Sequence, residues 1–86
     1  MSKVEIYTKA FCPYCTRAMR LLGEKPVEIE EHDITLGGPR QAEMIARSGG
    51  RTTVPQIFVN GQHVGGSDDL MALEARGELD PMIAAR

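Results

Sequence analysis

At 86 residues the chain has room for one small hydrophobic core and not for two. It is 42% hydrophobic and 26% charged, with a formal net charge of −2, the balance of an ordinary folded domain. Its charges are scattered, which argues against a nucleic-acid groove or a basic membrane-binding face. Its apolar runs are too short for a transmembrane helix or a signal peptide. The expected compartment is therefore the cytoplasm, where thiols stay reduced.

Val4 to Thr8 alternates and is rich in β-branched and aromatic residues, so it reads as a strand. Pro13 to about Glu24 reads as a helix, because Cys15, Ala18, Met19 and Leu22 recur at helical spacing and Pro13 suits a first turn. Pro26 stops it. Val27 to Ile34 alternates again, with a polar side that suggests an exposed face or an edge strand. Gly37-Gly38-Pro39 introduces a helix from about Arg40 to Arg47, ended by Ser48-Gly49-Gly50. Gln56 to Val59 and His63-Val64 flank Asn60-Gly61, the signature of a hairpin with a type I′ turn. Ser67-Asp68-Asp69 reads as an N-cap and acidic first turn for a helix from Asp68 to Arg76, closed by Gly77. A last short helix covers the Pro81 to Ala85 region.

The order β-α-β-α-β-β-α over one domain, residues 1–86, predicts a small four-stranded mixed sheet flanked by helices, an α/β fold. Met19, Leu21, Leu22, Ile45, Ile57, Val59 and Leu73 carry the core periodicity, and Met44, Met71 and Met82 join them.

The two cysteines, Cys12 and Cys15, stand in Cys12-Pro13-Tyr14-Cys15. As a staple they would close a loop too small for much entropic gain. As half of a zinc site they lack partners: His32 and His63 lie far along the chain without paired spacing and read as surface residues. No metal is expected. As a redox dithiol the pair is well placed. Cys12 falls where a strand hands over to a helix, and free amides and the helix dipole there favour a thiolate, the nucleophile of disulfide exchange. Lys9 could add a cation nearby. Cys15, one turn further in, should be less exposed. Cys12 then attacks and Cys15 resolves the mixed disulfide.

CPYC after a strand ending in Tyr7-Thr8-Lys9 resembles the dithiol glutaredoxins, of the bacterial short type, within the thioredoxin-like fold. Thr53-Val54-Pro55 resembles the family's TVP motif, and Gly65-Gly66-Ser67-Asp68-Asp69 its GG-x-DD motif. The three occur in the family's order, and the resemblance covers essentially the whole chain. It implies a cis Pro55 beside the dithiol, with the Val54 backbone pairing with the cysteinyl part of glutathione. It implies that amides near Ser67 and Asp68 hold the γ-glutamyl carboxylate while the Asp68 side chain meets its ammonium. It implies that Lys9 pairs with the glycyl carboxylate and that Tyr14 lines the groove. Arg51 is either a further cation of that groove or a solvated loop residue.

The implied function is a glutathione-dependent thiol–disulfide oxidoreductase that reduces protein–glutathione mixed disulfides and protein disulfides through Cys12 and Cys15. Glutathione is its co-substrate, a monomer its form, and ribonucleotide reductase one family-level target. Two alternatives stand beside it. A thioredoxin-like reductant typically has WCGPC, and this chain has no tryptophan. A carrier of a [2Fe–2S] cluster ligated by Cys12 and glutathione usually has CGFS or a small residue in place of Pro13.

Overall fold

The computed structural model describes residues 1–84. The elements run β1 (Ser2–Thr8), α1 (Pro13–Leu22), β2 (Val27–Asp33), α2 (Pro39–Arg47), β3 (Gln56–Val59), β4 (Gln62–Gly65), α3 (Ser67–Ala75) and α4 (Leu79–Ala84). Ala85, expected at the end of the last helix, lies outside the described residues. The four strands form one sheet in the order β2-β1-β3-β4. β1 pairs parallel with β2 and antiparallel with β3, and β4 pairs antiparallel with β3. β2 is thus an edge strand, as its polar side suggested. Asn60 and Gly61 have φ of 49° and 85°, the two positive values that the type I′ turn requires.

Period-2 alternation divides the core between two faces of the sheet. Val4 and Ile6 of β1 and Ile57 and Val59 of β3 pack against Ala18 and Leu22 of α1, Leu70 of α3, and Leu79 and Ile83 of α4. Tyr7 and Phe58 point the other way, onto Ile34 and Met44, with Ile45 and Val54 beside them. Each such apolar side chain contributes about 1.5–3 kcal/mol when fully buried. The Ser2 hydroxyl donates to the Ile83 carbonyl, tying α4 to the start of β1. Among the described residues, no helix is long and apolar enough to cross a membrane.

The second face also holds a polar network that the sequence did not announce. Arg47 grips Glu5 with two hydrogen bonds, Nη1 to Oε2 at 2.9 Å and Nη2 to Oε1 at 3.1 Å, and donates to the Tyr7 hydroxyl at 2.8 Å. Its guanidinium lies 4.1 Å from the centre of the Phe58 ring. Tyr7 in turn donates to Glu43. His32 belongs to this network, with Nε2 3.2 Å from both Glu5 and Glu30. Its expected place on the surface is therefore corrected: His32 is 7% exposed. The strand is an edge whose polar face stays open at Glu28, and the cover from Glu5 and its partners reaches that face at His32. His63 is half-buried, with Nε2 2.7 Å from Gln56 Oε1.

Candidate active site

β1 delivers the chain to the dithiol through Lys9, Ala10 and Phe11. Phe11 turns it with a φ of 58° and holds its ring fully in solvent. Cys12 is extended and forms the N-cap of α1, with Pro13 as the first helical residue. Cys12 Sγ accepts the Cys15 amide at 3.2 Å, a bond that strengthens when the sulfur is a thiolate. The local sequence thus favours an anion on the Cys12 sulfur, since Pro13 has no amide to offer and Cys15 supplies its own.

Cys15 is 5% exposed, and neither cysteine is in a disulfide. Burial pushes the Cys15 thiol up to about 12; its hydrogen bond with Cys12 adds to the rise, as does the charge of Glu31, and the Lys9 backbone amide opposes it. A half-buried Cys12 and a buried Cys15 sit one helical turn apart, the asymmetry expected of an attacking and a resolving thiol.

A groove of about 170 Å³ runs from Tyr14 past Thr53, Val54 and Pro55 to Gly66, Ser67 and Asp68. It reaches the dithiol through Val54, whose carbonyl oxygen is 4.0 Å from Cys12 Sγ. The Val54–Pro55 peptide bond is cis. Buried Gln56 secures this turn, its Nε2 donating to the Thr53 carbonyl at 3.1 Å and to Thr53 Oγ1 at 3.2 Å.

The far end of the groove is the start of α3, and there the capping differs from expectation. The N-cap is Gly66, not Ser67. Asp69, three residues into the turn, reaches back to accept the Gly66 amide at 2.9 Å, so the acid takes the capping role read into the serine. Asp69 also meets Arg51 Nη1 at 3.3 Å. The Gly66 amide first, and Arg51 after it, hold the Asp69 carboxyl below the usual range. Ser67 becomes the first helical residue. Its side chain is turned inward, 4% exposed, and its Oγ finds no hydrogen-bond partner in the described chain. The first amides of α3 also lack intrahelical partners. The sequence signal for Asp69 was present, an acid three residues after a glycine cap, but serine was the more obvious cap.

Of the residues singled out from sequence, Tyr14, Thr53, Val54, Pro55, Ser67 and Asp68 share this groove, and Arg51 joins its wall. Lys9 stands elsewhere, half-buried in a second groove on the Cys12 and Cys15 side, with Thr8, Met19 and Glu31. Among the described residues, the side chains grouped closely enough to share a metal ion are Glu5, Glu30 and His32. That group contains no cysteine, and Arg47 and Lys3 already pair its carboxylates.

The family model described as Glutaredoxin matches residues 4–64. The chain belongs to the glutaredoxin family. It is 58% identical over 83 residues to Glutaredoxin 3 of Escherichia coli (strain K12), a match that covers 96% of this chain and 99% of that protein. It is similar to the solution structure of glutaredoxin from Brucella melitensis, with a TM-score of 0.78 and 51% identity over 94% of this chain and 87% of that one. The crystal structure of a buckwheat glutaredoxin–glutathione complex matches with a TM-score of 0.84 and 27% identity over 96% of this chain and 77% of that one. The expected thioredoxin-like fold is the observed one, and the protein is a glutathione-dependent thiol–disulfide oxidoreductase of the glutaredoxin kind.

Proposed function

We propose that Cys12 is the nucleophile, that Cys15 resolves, and that glutathione lies along the groove from Tyr14 to Asp68. Cys12 thiolate attacks the glutathionyl sulfur of a protein–glutathione mixed disulfide, the protein leaves as a thiolate, and a second glutathione displaces the first from Cys12. With a protein disulfide, Cys12 forms the mixed disulfide and Cys15 displaces the substrate sulfur, leaving a Cys12–Cys15 bridge that two glutathiones reduce. The Val54 backbone pairs with the cysteinyl unit beside Cys12, and Thr53 and Pro55 shape that turn. Lys9, next to Cys12, is the cation offered to the glycyl carboxylate. The first amides of α3 and the Ser67 hydroxyl take the γ-glutamyl carboxylate, and the Asp68 side chain takes its ammonium. The partners are glutathionylated and disulfide-bearing proteins, ribonucleotide reductase among those to test. The working form is a monomeric single domain in the cytoplasm.

The observation that supports this reading best is Ser67. A buried hydroxyl without a partner costs about 1–3 kcal/mol, and this one lies at the free-amide end of a helix. That end opens on the groove whose other end borders Cys12. An anionic ligand at α3 satisfies hydroxyl and amides together. The test is Asp68→Ala. Asp68 is exposed, so its loss is expected to raise KM for a glutathione mixed disulfide by about fivefold, the scale of a solvent-screened charge pair. Cys12 should react with a small alkylating agent at the wild-type rate. Equal losses in both assays would show that Asp68 acts through the fold and would remove it from the glutathione site.

A further inference from the structure

The second groove poses a question that glutathione binding does not answer. Val27, Ile29 and Glu31 share one face of β2 by period-2 alternation. Val27 and Ile29 pack on the core beneath α1. Glu31 continues that row at its exposed end, where the face passes from the core to solvent and a carboxylate can stand beside the dithiol. The carboxylate is held in place: Oε2 accepts the Thr8 hydroxyl at 2.7 Å, and Thr8 is 3% exposed. Its other oxygen has no partner among the described residues. Glu31 and Cys15 line the same open groove of about 480 Å³, ample room for water at about 30 Å³ per molecule. The ionisable side chains facing that groove are Lys9, Cys12, Cys15 and Glu31.

Cys15 needs such a neighbour. Burial keeps it a thiol near neutral pH, and a thiol does not displace a disulfide sulfur. Of the ionisable side chains that line the groove with the two thiols, Glu31 is the one that brings a carboxylate to act as base.

We propose that Glu31 is the proton acceptor for Cys15 in the resolving step, receiving the proton through a water in the groove. The proposal rests on the reading of Cys15 as the resolving thiol. In the step, the Cys15 S–H proton passes to the Glu31 carboxylate as the sulfur lone pair forms the Cys12–Cys15 bond. The bond from Cys12 to the substrate sulfur breaks, and the substrate leaves as a thiolate. The Glu31 carboxylic acid then returns its proton to the solvent or to that thiolate. The dithiol loses two electrons and the substrate disulfide gains them, with no further reactant.

The experiment mixes the reduced protein rapidly with oxidised glutathione between pH 5.5 and 9, quenches with acid, and follows Cys12 adduct formation and second-glutathione release by mass spectrometry. Glu31→Gln keeps an acceptor for Thr8 and removes the base. It is expected to form the adduct at the wild-type rate and to release the second glutathione about a hundredfold more slowly near pH 7, within the usual range for a lost general base. The defect should fade toward high pH, where hydroxide deprotonates Cys15. Unchanged or faster release would overturn the proposal, because removing a negative charge beside a forming thiolate assists it electrostatically. Should Glu31→Gln fail to fold, Glu31→Ala serves, with release restored by added formate if Glu31 is the base and unmoved by it if not. A wild-type protein that released no second glutathione would instead refute the resolving role of Cys15.

Discussion

Gly65→Ala puts the geometry of the α3 start to the sharpest test. Gly65 has a φ of +120°, and a Cβ built there would lie 2.2 Å from Asp69 Oδ2 and 3.0 Å from Arg51 Nη1. Two costs follow. An L side chain at that φ is strained by about 1–3 kcal/mol. The carboxylate, as the flexible end of a side chain, moves away easily, but in moving it releases the Gly66 amide, and a lost helix cap costs about 1 kcal/mol. The Arg51 pair is exposed on both sides and adds little. The sum is about 2–4 kcal/mol, or roughly 10–30 °C in Tm for a domain of this size. Urea and thermal unfolding measure it, and a double-mutant cycle isolates the mechanism. In an Asp69→Ala background there is neither clash nor cap to lose, so Gly65→Ala should cost about 1 kcal/mol less there than in the wild type. KM for glutathione mixed disulfides should rise in either single variant, because the same turn presents the α3 amides. Additivity of the two substitutions would refute the claim that Gly65 is required by the Asp69 carboxylate.

Ser67→Ala should move stability and function in opposite directions, raising the stability of the free protein by about 1 kcal/mol through loss of an unpaired buried hydroxyl, while raising KM for glutathione substrates; unfolding curves and steady-state kinetics report both. Cys12→Ser should abolish thiol transfer, and substantial turnover in a glutathione-coupled assay would displace Cys12 as the nucleophile. Arg47→Met should cost about 2–4 kcal/mol at pH 7, because it strips its partner from the mostly buried Glu5. Hydrogen bonds from Arg47 first, and His32 after it, lower the Glu5 pKa in the fold. That contribution is therefore full above the ordinary carboxylate range and is lost as pH falls through the depressed folded value. The wild type should weaken more steeply in acid than Arg47→Met does in denaturant titrations.

The sheet, the helices and the dithiol were legible because each rests on local chemistry: alternation in Val4 to Thr8, helical spacing through Cys15, Ala18 and Leu22, and positive φ at Asn60 and Gly61. The burial of Cys15 and its place one turn inside the helix followed from the same spacing. What escaped was decided by contacts between distant segments. His32 read as a surface residue because it lies far along the chain from the cysteines without paired spacing, yet Glu5 and Arg47, 27 and 42 positions apart from their partners in sequence, build a network around it. The cap of α3 is Gly66, whose amide donates to Asp69, while Ser67 is buried as the first helical residue, an arrangement that only the three-dimensional turn displays. Glu31 drew no notice at all. Its meaning depends on Thr8 and Cys15, which the sequence places 23 and 16 residues away and the parallel β1–β2 pairing brings together.

The central claim is that Cys12 and the groove ending at α3 suffice for glutathione chemistry, with Cys15 serving only the disulfide route. The direct measurement is glutathione-dependent reduction of a glutathione mixed disulfide by Cys15→Ser. Retained turnover, with reduction of protein disulfides impaired, is the predicted result. Lost turnover in that variant, with protein disulfides still reduced by the wild type, would contradict the account and make the protein an obligate dithiol reductant.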